Sequence, residues 1–174
     1  GYECLLKVPK MTAKKAMDIH AKLLKYNESY ETVVYLTNFG FSMKDALKIY
    51  NHYLSDAIRV VENNPYELID TIDGMSFTKI DALRSKTKVS VDDERRVMAL
   101  IINVMKMLCF NSGDTYLEKS TIYGAVSSVY EESISEEVLE AYLVSLNQLG
   151  KVIIEDDKYA LIEYYKSESY VAQR

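Results

Sequence analysis

The 174-residue sequence has two cysteines, two prolines, six glycines and no tryptophan. The isolated cysteines, Cys4 and Cys109, make neither a disulfide framework nor a zinc site, so a reducing, cytoplasmic compartment is expected. The scarcity of proline and glycine excludes collagen-like and low-complexity chains. No apolar run approaches the roughly 20 residues of a membrane span, and no signal peptide is recognisable. We therefore expect no membrane contact.

The residues that are present give an ordinary globular composition, with 48% hydrophobic and 27% charged residues. A chain of this length buries roughly 70% of the surface of its unfolded form, so it needs no metal or disulfide to fold. The length suits one large domain or two small ones. Because no catalytic carboxylate pair, nucleophile elbow or dinucleotide loop is recognisable, we expect no catalytic residues, no metal and no cofactor in this chain.

Charge is divided unevenly along the chain. Residues 1–89 contain 13 Lys and Arg against 11 Asp and Glu, a net charge of +2, whereas residues 90–174 contain 8 against 15, a net charge of −7. Six lysines and a single acid, Asp18, lie between Lys7 and Lys25. A polyanionic partner is therefore expected to prefer the first half.

Three segments of the first half align without gaps: Val8–Ala16, Asn38–Ala46 and Ile72–Ile80. Counted from Lys10, Gly40 and Gly74, the next residue is bulky and apolar, the second carries a hydroxyl and the sixth is small or aliphatic. The copies are 30 and 34 residues apart. This spacing indicates a structural repeat with turns near residues 9–13, 39–43 and 73–77.

Each copy predicts a helix, a tight turn and a second helix. Glycine allows a positive φ at the turn, and the hydroxyl caps the second helix by accepting a backbone N–H bond. Amides at the positive end of that helix then face outward, where they suit a phosphate, and a lysine in its first turn can join them. The candidate phosphate-binding residues are Thr12, Lys14, Lys15, Gly40, Ser42, Lys44, Gly74, Ser76 and Lys79.

This pattern resembles the helix-hairpin-helix motif, which usually reads hydrophobic-Gly-hydrophobic-Gly and then, several residues on, Ala. The resemblance implies sequence-independent binding to the DNA backbone. Two departures are visible: Thr or Ser replaces the second glycine in all three copies, and Lys10 replaces the first glycine of the first copy. The alternative is that the hairpins serve only as packing units.

The second half has a different order. Periodicity predicts helices over Asp92–Phe110, Ser120–Tyr130 and Ser135–Leu149, then a hairpin of two strands, Lys151–Glu155 and Lys158–Tyr164, around Asp156-Asp157. Three helices followed by a hairpin is the order of a winged helix. We therefore predict a mainly α fold, with a tandem helix-hairpin-helix bundle in residues 1–89 and a winged-helix-like domain with a small C-terminal β-hairpin in residues 90–174.

A wider match covers nearly the whole chain. Its main elements are Asn64-Pro65-Tyr66-Glu67-Leu68, where Asn and Pro predict a capped helix start, then Gly74-Met75-Ser76-Phe77 and Gly113-Asp114-Thr115-Tyr116-Leu117. Together they resemble the N-terminal region of the stand-alone RecD-like ATP-dependent DNA helicases, of the exodeoxyribonuclease V alpha-subunit family.

The resemblance implies that this region precedes helicase motor domains that use ATP and Mg²⁺ to unwind duplex DNA in the 5′ to 3′ direction, in DNA repair and recombination. The chain is then expected to be a fragment of a longer protein, with the DNA phosphate backbone and the motor domains as its partners. The alternative function is a protein-interaction or scaffold module, because the second half is acidic.

One stretch imitates a nucleotide-binding loop. Gly113–Ser120 has the length of a P-loop, but Glu118 takes the place of its second glycine and a helix, not a strand, is predicted before Gly113. We therefore predict a loop and a short extended piece there, and no nucleotide site.

Overall fold

The computed structural model describes residues 1–7 and 10–172 of the chain. The chain divides into two compact units, Gly1–Lys88 and Val89–Arg174. The described residues are mainly helical and include a three-stranded antiparallel sheet near the C-terminus, which confirms the predicted fold class. In the same part of the chain, no helix has both the length and the apolar character needed to cross a membrane.

The first unit begins with a 3₁₀ turn, Tyr2–Lys7, and continues with helices α1 (Ala13–Phe39), α2 (Met43–Tyr53), α3 (Ala57–Asn63), α4 (Leu68–Thr71) and α5 (Phe77–Asp81). Shorter 3₁₀ turns lie at Leu54–Asp56, Pro65–Glu67 and Arg84–Lys86. Val8 and Pro9, which open the first repeat, lie outside the described residues.

The repeat pattern determines which side chains enter the core of this unit. The sixth position after each turn is occupied by Ala16, Ala46 and Ile80, and all three have 0% exposure. The bulky residue after each glycine is also buried, at Phe41 and Met75. These positions are apolar because each packs the start of a second helix against the rest of the unit.

The predicted helix start at Asn64 is confirmed in its position, because Asn64 is the N-cap and Pro65 the first residue of the turn that follows. The Asn64 side chain makes no cap bond, and the first turn, Pro65–Glu67, is 3₁₀ before α4 begins. Instead, Asn64 Nδ2 donates to Glu67 Oε2 at 3.4 Å, and Asn64 Oδ1 is buried without a hydrogen-bond partner. Asn64 has φ −148° and ψ 66°, and with that backbone its side chain pairs with the Glu67 carboxylate instead of a backbone amide of the turn.

The second unit contains α6 (Glu94–Ser112), β1 (Tyr116–Glu118), α7 (Lys119–Val129), α8 (Glu136–Gln148), β2 (Val152–Glu155), β3 (Lys158–Leu161) and α9 (Ile162–Ala172). The strand order is β1-β3-β2, with Leu117 opposite Tyr159 and Ile154 opposite Tyr159 on the other side. As predicted, a helix precedes Gly113 and a short extended piece follows it. This arrangement does not fit a P-loop, because that loop joins a strand to a helix.

The predicted strand Lys158–Tyr164 is too long. It ends at Leu161, and Ile162–Ala172 form α9. Val152, the first residue of β2, pairs with Leu161, and the Ile162 amide donates to Lys151 O at 3.1 Å. The partner strand therefore offers no further residue beyond this bond, so the chain satisfies its next backbone groups by turning into a helix.

Candidate nucleic-acid interface

The three repeat hydroxyls make the same local hydrogen bond. Thr12 Oγ1 accepts from the Lys15 amide at 3.3 Å, Ser42 Oγ accepts from the Asp45 amide at 3.1 Å, and Ser76 Oγ accepts from the Lys79 amide at 3.2 Å. Each is the N-cap of the helix that follows, α1, α2 or α5. The predicted capping role of all three residues is confirmed.

Turn two, defined as residues 39–43, needs its glycine for two reasons. Gly40 has φ 132°, which is in the region that L side chains rarely adopt. A Cβ at this position would lie 2.7 Å from Leu83 Cδ2. A side chain at position 40 is therefore opposed both by the backbone conformation and by the Leu83 side chain, which comes from 43 residues later in the sequence.

The amides of turn two divide into two groups. Gly40 donates to Leu36 O and Thr37 O at 3.3 and 3.2 Å, and Phe41 donates to Leu36 O at 3.1 Å, so these two amides are satisfied internally. Among the described residues, the amides of Ser42, Met43 and Lys44 have no partner, and all three residues are exposed. These amides begin the 11-residue helix α2, at its positive end.

Turn three, defined as residues 73–77, has the same design with a shorter second helix. Gly74 has φ 83°, and the Met75 amide donates to Ile72 O at 3.3 Å. Ser76 and Thr78 are exposed residues at the start of α5. Since α5 has only five residues, its dipole and its row of free amides are less developed than those of α2.

The predicted lysines have different surroundings. Lys14, Lys15 and Lys44 are exposed, and no ion pair involves them in the described part of the chain. Lys79, in contrast, pairs through Nζ with Asp45 Oδ2 at 3.1 Å and also donates to Gly74 O at 3.4 Å. Asp45 is buried and Lys79 is exposed, so this pair joins α2 to turn three and offsets the charge of Lys79.

Two further lysines lie at the turns and were missed by sequence reasoning. Lys48 Nζ donates to Asp73 O at 3.0 Å, and Lys86 Nζ donates to Phe39 O at 2.8 Å. Lys48 follows Lys44 by four residues on α2, a spacing that places both on one face, so the sequence held a signal for it. Lys86 had no such signal, because its partner is 47 residues away.

The first copy differs from the other two. Lys10 has φ 65°, so a lysine takes the left-handed conformation at the position where the other copies have glycine. Thr12 caps α1 as expected, but the surrounding half of that helix is mostly exposed, including Met17, Leu23 and Leu24. The structure therefore brings turns two and three together through lysine contacts and gives no such contact for the first turn among the described residues.

The tyrosines near the hairpins divide between packing and exposure. Tyr50 is buried, and Tyr35 donates to Glu62 Oε1 at 2.5 Å, a bond that raises the pKa of Tyr35 together with burial and the negative charge of Glu62. Burial is the largest cause of the raised pKa of Tyr53. Tyr26 and Tyr30 are 66% and 61% exposed, so their rings are free to stack on a base.

A family model described as the ATP-dependent RecD2 DNA helicase HHH domain, where HHH denotes helix-hairpin-helix, matches residues 25–116. This range covers more than half of the chain. The chain belongs to this family. Turns two and three lie inside the matched range and the first copy lies before it. The RecD2 HHH match confirms the predicted resemblance to RecD-like helicases, and it identifies residues 25–116 as a helicase-associated, DNA-binding domain.

Proposed function

We propose that this RecD2 HHH chain binds the DNA backbone without reading sequence, as an accessory region of a 5′ to 3′ helicase. Turn two is its principal phosphate site. ATP and Mg²⁺ belong to the motor domains of the helicase, and no residue of this chain is assigned to them. The proposal has its support in the family match and in the chemistry of residues 42–44.

The observation that carries the proposal is the set of three unpartnered amides at Ser42, Met43 and Lys44. The three residues are exposed at the positive end of α2, and Lys44 itself belongs to the first turn of this helix. Backbone amides and an ammonium group bind phosphate oxygens, which are the same at every nucleotide. Binding through them is therefore independent of sequence.

For residues 89–174 we propose a winged-helix-like domain that does not enter the major groove. Its support is the element order, three helices with β1 after the first and the β2–β3 hairpin after the third. The third helix, α8, carries Glu136, Glu137 and Glu140, and the hairpin turn carries Asp156 and Asp157. These carboxylates repel phosphate, so this unit suits a protein partner such as the motor domains.

A second candidate function, protein docking without DNA binding, is favoured by one observation. Helix α8 exposes Val138 and Val144 at 46% and 42%, and Leu149 after it is 59% exposed. Surfaces that contact another protein expose apolar side chains of this kind. This candidate makes no use of the amides at turn two, so a DNA-binding measurement separates it from the first.

The test compares two substitutions of the same residue. Ser42→Asp keeps an oxygen that caps the Asp45 amide but adds a carboxylate at the phosphate site, which opposes a phosphate by about 1 to 4 kcal/mol. We expect unchanged or slightly higher stability and a loss of DNA affinity of about tenfold or more. Fluorescence anisotropy with a labelled duplex at low salt measures the affinity, and urea unfolding measures the stability.

Ser42→Ala is the matched control. It removes the cap and so lowers stability by about 1 kcal/mol, but it leaves the three amides and frees that of Asp45. We expect DNA affinity close to that of the unsubstituted chain. Equal binding by the Asp and Ala variants contradicts a phosphate at turn two. If the unsubstituted chain does not bind DNA, protein docking is the candidate function that stands.

A further inference from the structure

Lys48 and Lys86, the two lysines that sequence reasoning missed, each contact the hairpin to which they do not belong. Hairpin two is α1, turn two and α2; hairpin three is α4, turn three, α5 and the 3₁₀ turn Arg84–Lys86. Lys48 belongs to hairpin two and bonds turn three, whereas Lys86 belongs to hairpin three and bonds turn two. In both cases the acceptor is the carbonyl of the residue immediately before the glycine, Asp73 or Phe39.

The two contacts also have the same geometry around the glycines. A Cβ built on Gly74 would lie 3.7 Å from Lys48 Nζ, and one built on Gly40 would lie 3.7 Å from Lys86 Nζ. Each ammonium therefore lies beside the glycine of the opposite hairpin. An ammonium has three N–H donors, and each lysine has one hydrogen bond to a carbonyl, so donors remain for another acceptor.

The charges at each turn indicate which lysine has more positive charge to offer a phosphate. At turn three, Lys79 is already paired with the Asp45 carboxylate, and Lys48 bonds the backbone carbonyl of Asp73, a residue that itself carries a negative charge. At turn two, Lys86 places a second positive charge beside Gly40, in the turn whose following helix begins with Lys44 and the three unpartnered amides, and the one carboxylate of that helical turn, Asp45, is paired with Lys79. Lys86 is also exposed, and its position is defined by the bond to Phe39 O, with its ammonium 6.0 Å from the centre of the Phe39 ring.

We propose that Lys86 completes the phosphate site at turn two from the opposite hairpin. This inference deepens the proposed function and rests on it. It assigns the DNA-facing charge to Lys86, in addition to Lys44, and gives Lys79 a structural role in its pair with Asp45. The exchange also means that hairpin two has no complete site without hairpin three.

The experiment measures duplex binding by the full chain as a function of salt. Lys86→Gln is expected to weaken binding of every duplex sequence alike and to make the slope of log K against log salt shallower by about one. Lys48→Gln is expected to change the slope less. Lys158→Gln, in β3 of the acidic unit, is the control that removes one charge elsewhere and leaves the slope unchanged. Lys86→Arg keeps the charge and is expected to restore the slope.

A purely structural role for Lys86 gives a different result. Lys86→Gln then lowers the melting temperature but leaves the salt slope of the folded fraction unchanged, and this outcome overturns the inference. If Lys86→Gln does not fold, the inference can still be tested on the unsubstituted chain by NMR. The Lys86 side-chain ammonium signal in a nitrogen–proton NMR correlation spectrum is expected to shift when duplex is added, and an unmoved signal at saturation overturns the inference.

Failure of the inference differs from failure of the proposed function. If the unsubstituted chain does not bind duplex at low salt, the proposed function and the inference fall together. If it binds, and Ser42→Asp abolishes binding while Lys86→Gln leaves the slope unchanged, only the inference falls.

Discussion

At the scale of single residues, the three repeat copies differ in what stands at the glycine position. Gly40 and Gly74 have positive φ angles, and Lys10 adopts one as well. A lysine in the left-handed region is strained by about 1 kcal/mol, so the first copy tolerates a strain that the others avoid. The glycine of turn two has the additional constraint of the Leu83 side chain.

Gly40→Ala is therefore expected to destabilise the chain by about 1 to 3 kcal/mol, because both the φ angle and the contact with Leu83 Cδ2 oppose a methyl group. Urea unfolding followed by circular dichroism measures the change. Gly124→Ala is the control, since Gly124 lies inside α7, has nothing within 4 Å of the built Cβ and has no positive φ. It is expected to stabilise α7 by about 0.5 to 1 kcal/mol. Equal effects of the two substitutions would show that turn two is not constrained.

At the scale of elements, the β2–β3 hairpin shows how local conformation and charge conflict. Glu155 and Lys158 pair on either side of a two-residue loop. The loop residues, Asp156 and Asp157, have φ of 51° and 60°. Positive φ at both loop residues is the type I′ turn, which best matches the twist of the strands and favours Asn-Gly. The chain instead has two aspartates there, next to Glu155. The turn therefore carries three neighbouring carboxylates in place of the uncharged residues that its backbone conformation favours.

The double substitution Asp156→Asn with Asp157→Gly is expected to stabilise the second unit by about 0.5 to 1 kcal/mol, because it relieves two left-handed side chains and the repulsion between two carboxylates. The change is measured by thermal unfolding. Asp157→Asn is the matched control for charge, since it removes a carboxylate and keeps a side chain, and it is expected to give a smaller gain. Asp157→Val is expected to destabilise, because a branched residue resists positive φ.

At the scale of the whole molecule, two units of opposite charge are joined in one chain. The first has a net charge of +2 and the free amides, and the second has a net charge of −7. A phosphate backbone is therefore attracted to a small part of the surface and repelled by the rest. Weak binding through few contacts follows from this distribution.

Binding of duplex by the full chain is accordingly expected to have a log–log salt slope of about −2 to −4, which corresponds to two to four neutralised phosphates. The slope and the affinity are expected to be the same for duplexes of unrelated sequence, because backbone amides and lysines contact phosphates. Anisotropy titrations at several salt concentrations measure both. A steeper slope would show that more phosphates are neutralised, and a clear preference for one sequence would show base contacts, for which the exposed tyrosines are available.

The sequence by itself determined the caps at Thr12, Ser42 and Ser76, the two-residue turn at Asp156 and Asp157, and the resemblance to the RecD-like helicases. A hydrogen bond between residues three apart depends on local residue types, so a single sequence predicts it. Only the tertiary structure decided the partners of Lys48, Lys79 and Lys86, which are 25, 34 and 47 residues away. Contacts over such separations follow from how helices pack, and packing brings together side chains that no local pattern relates.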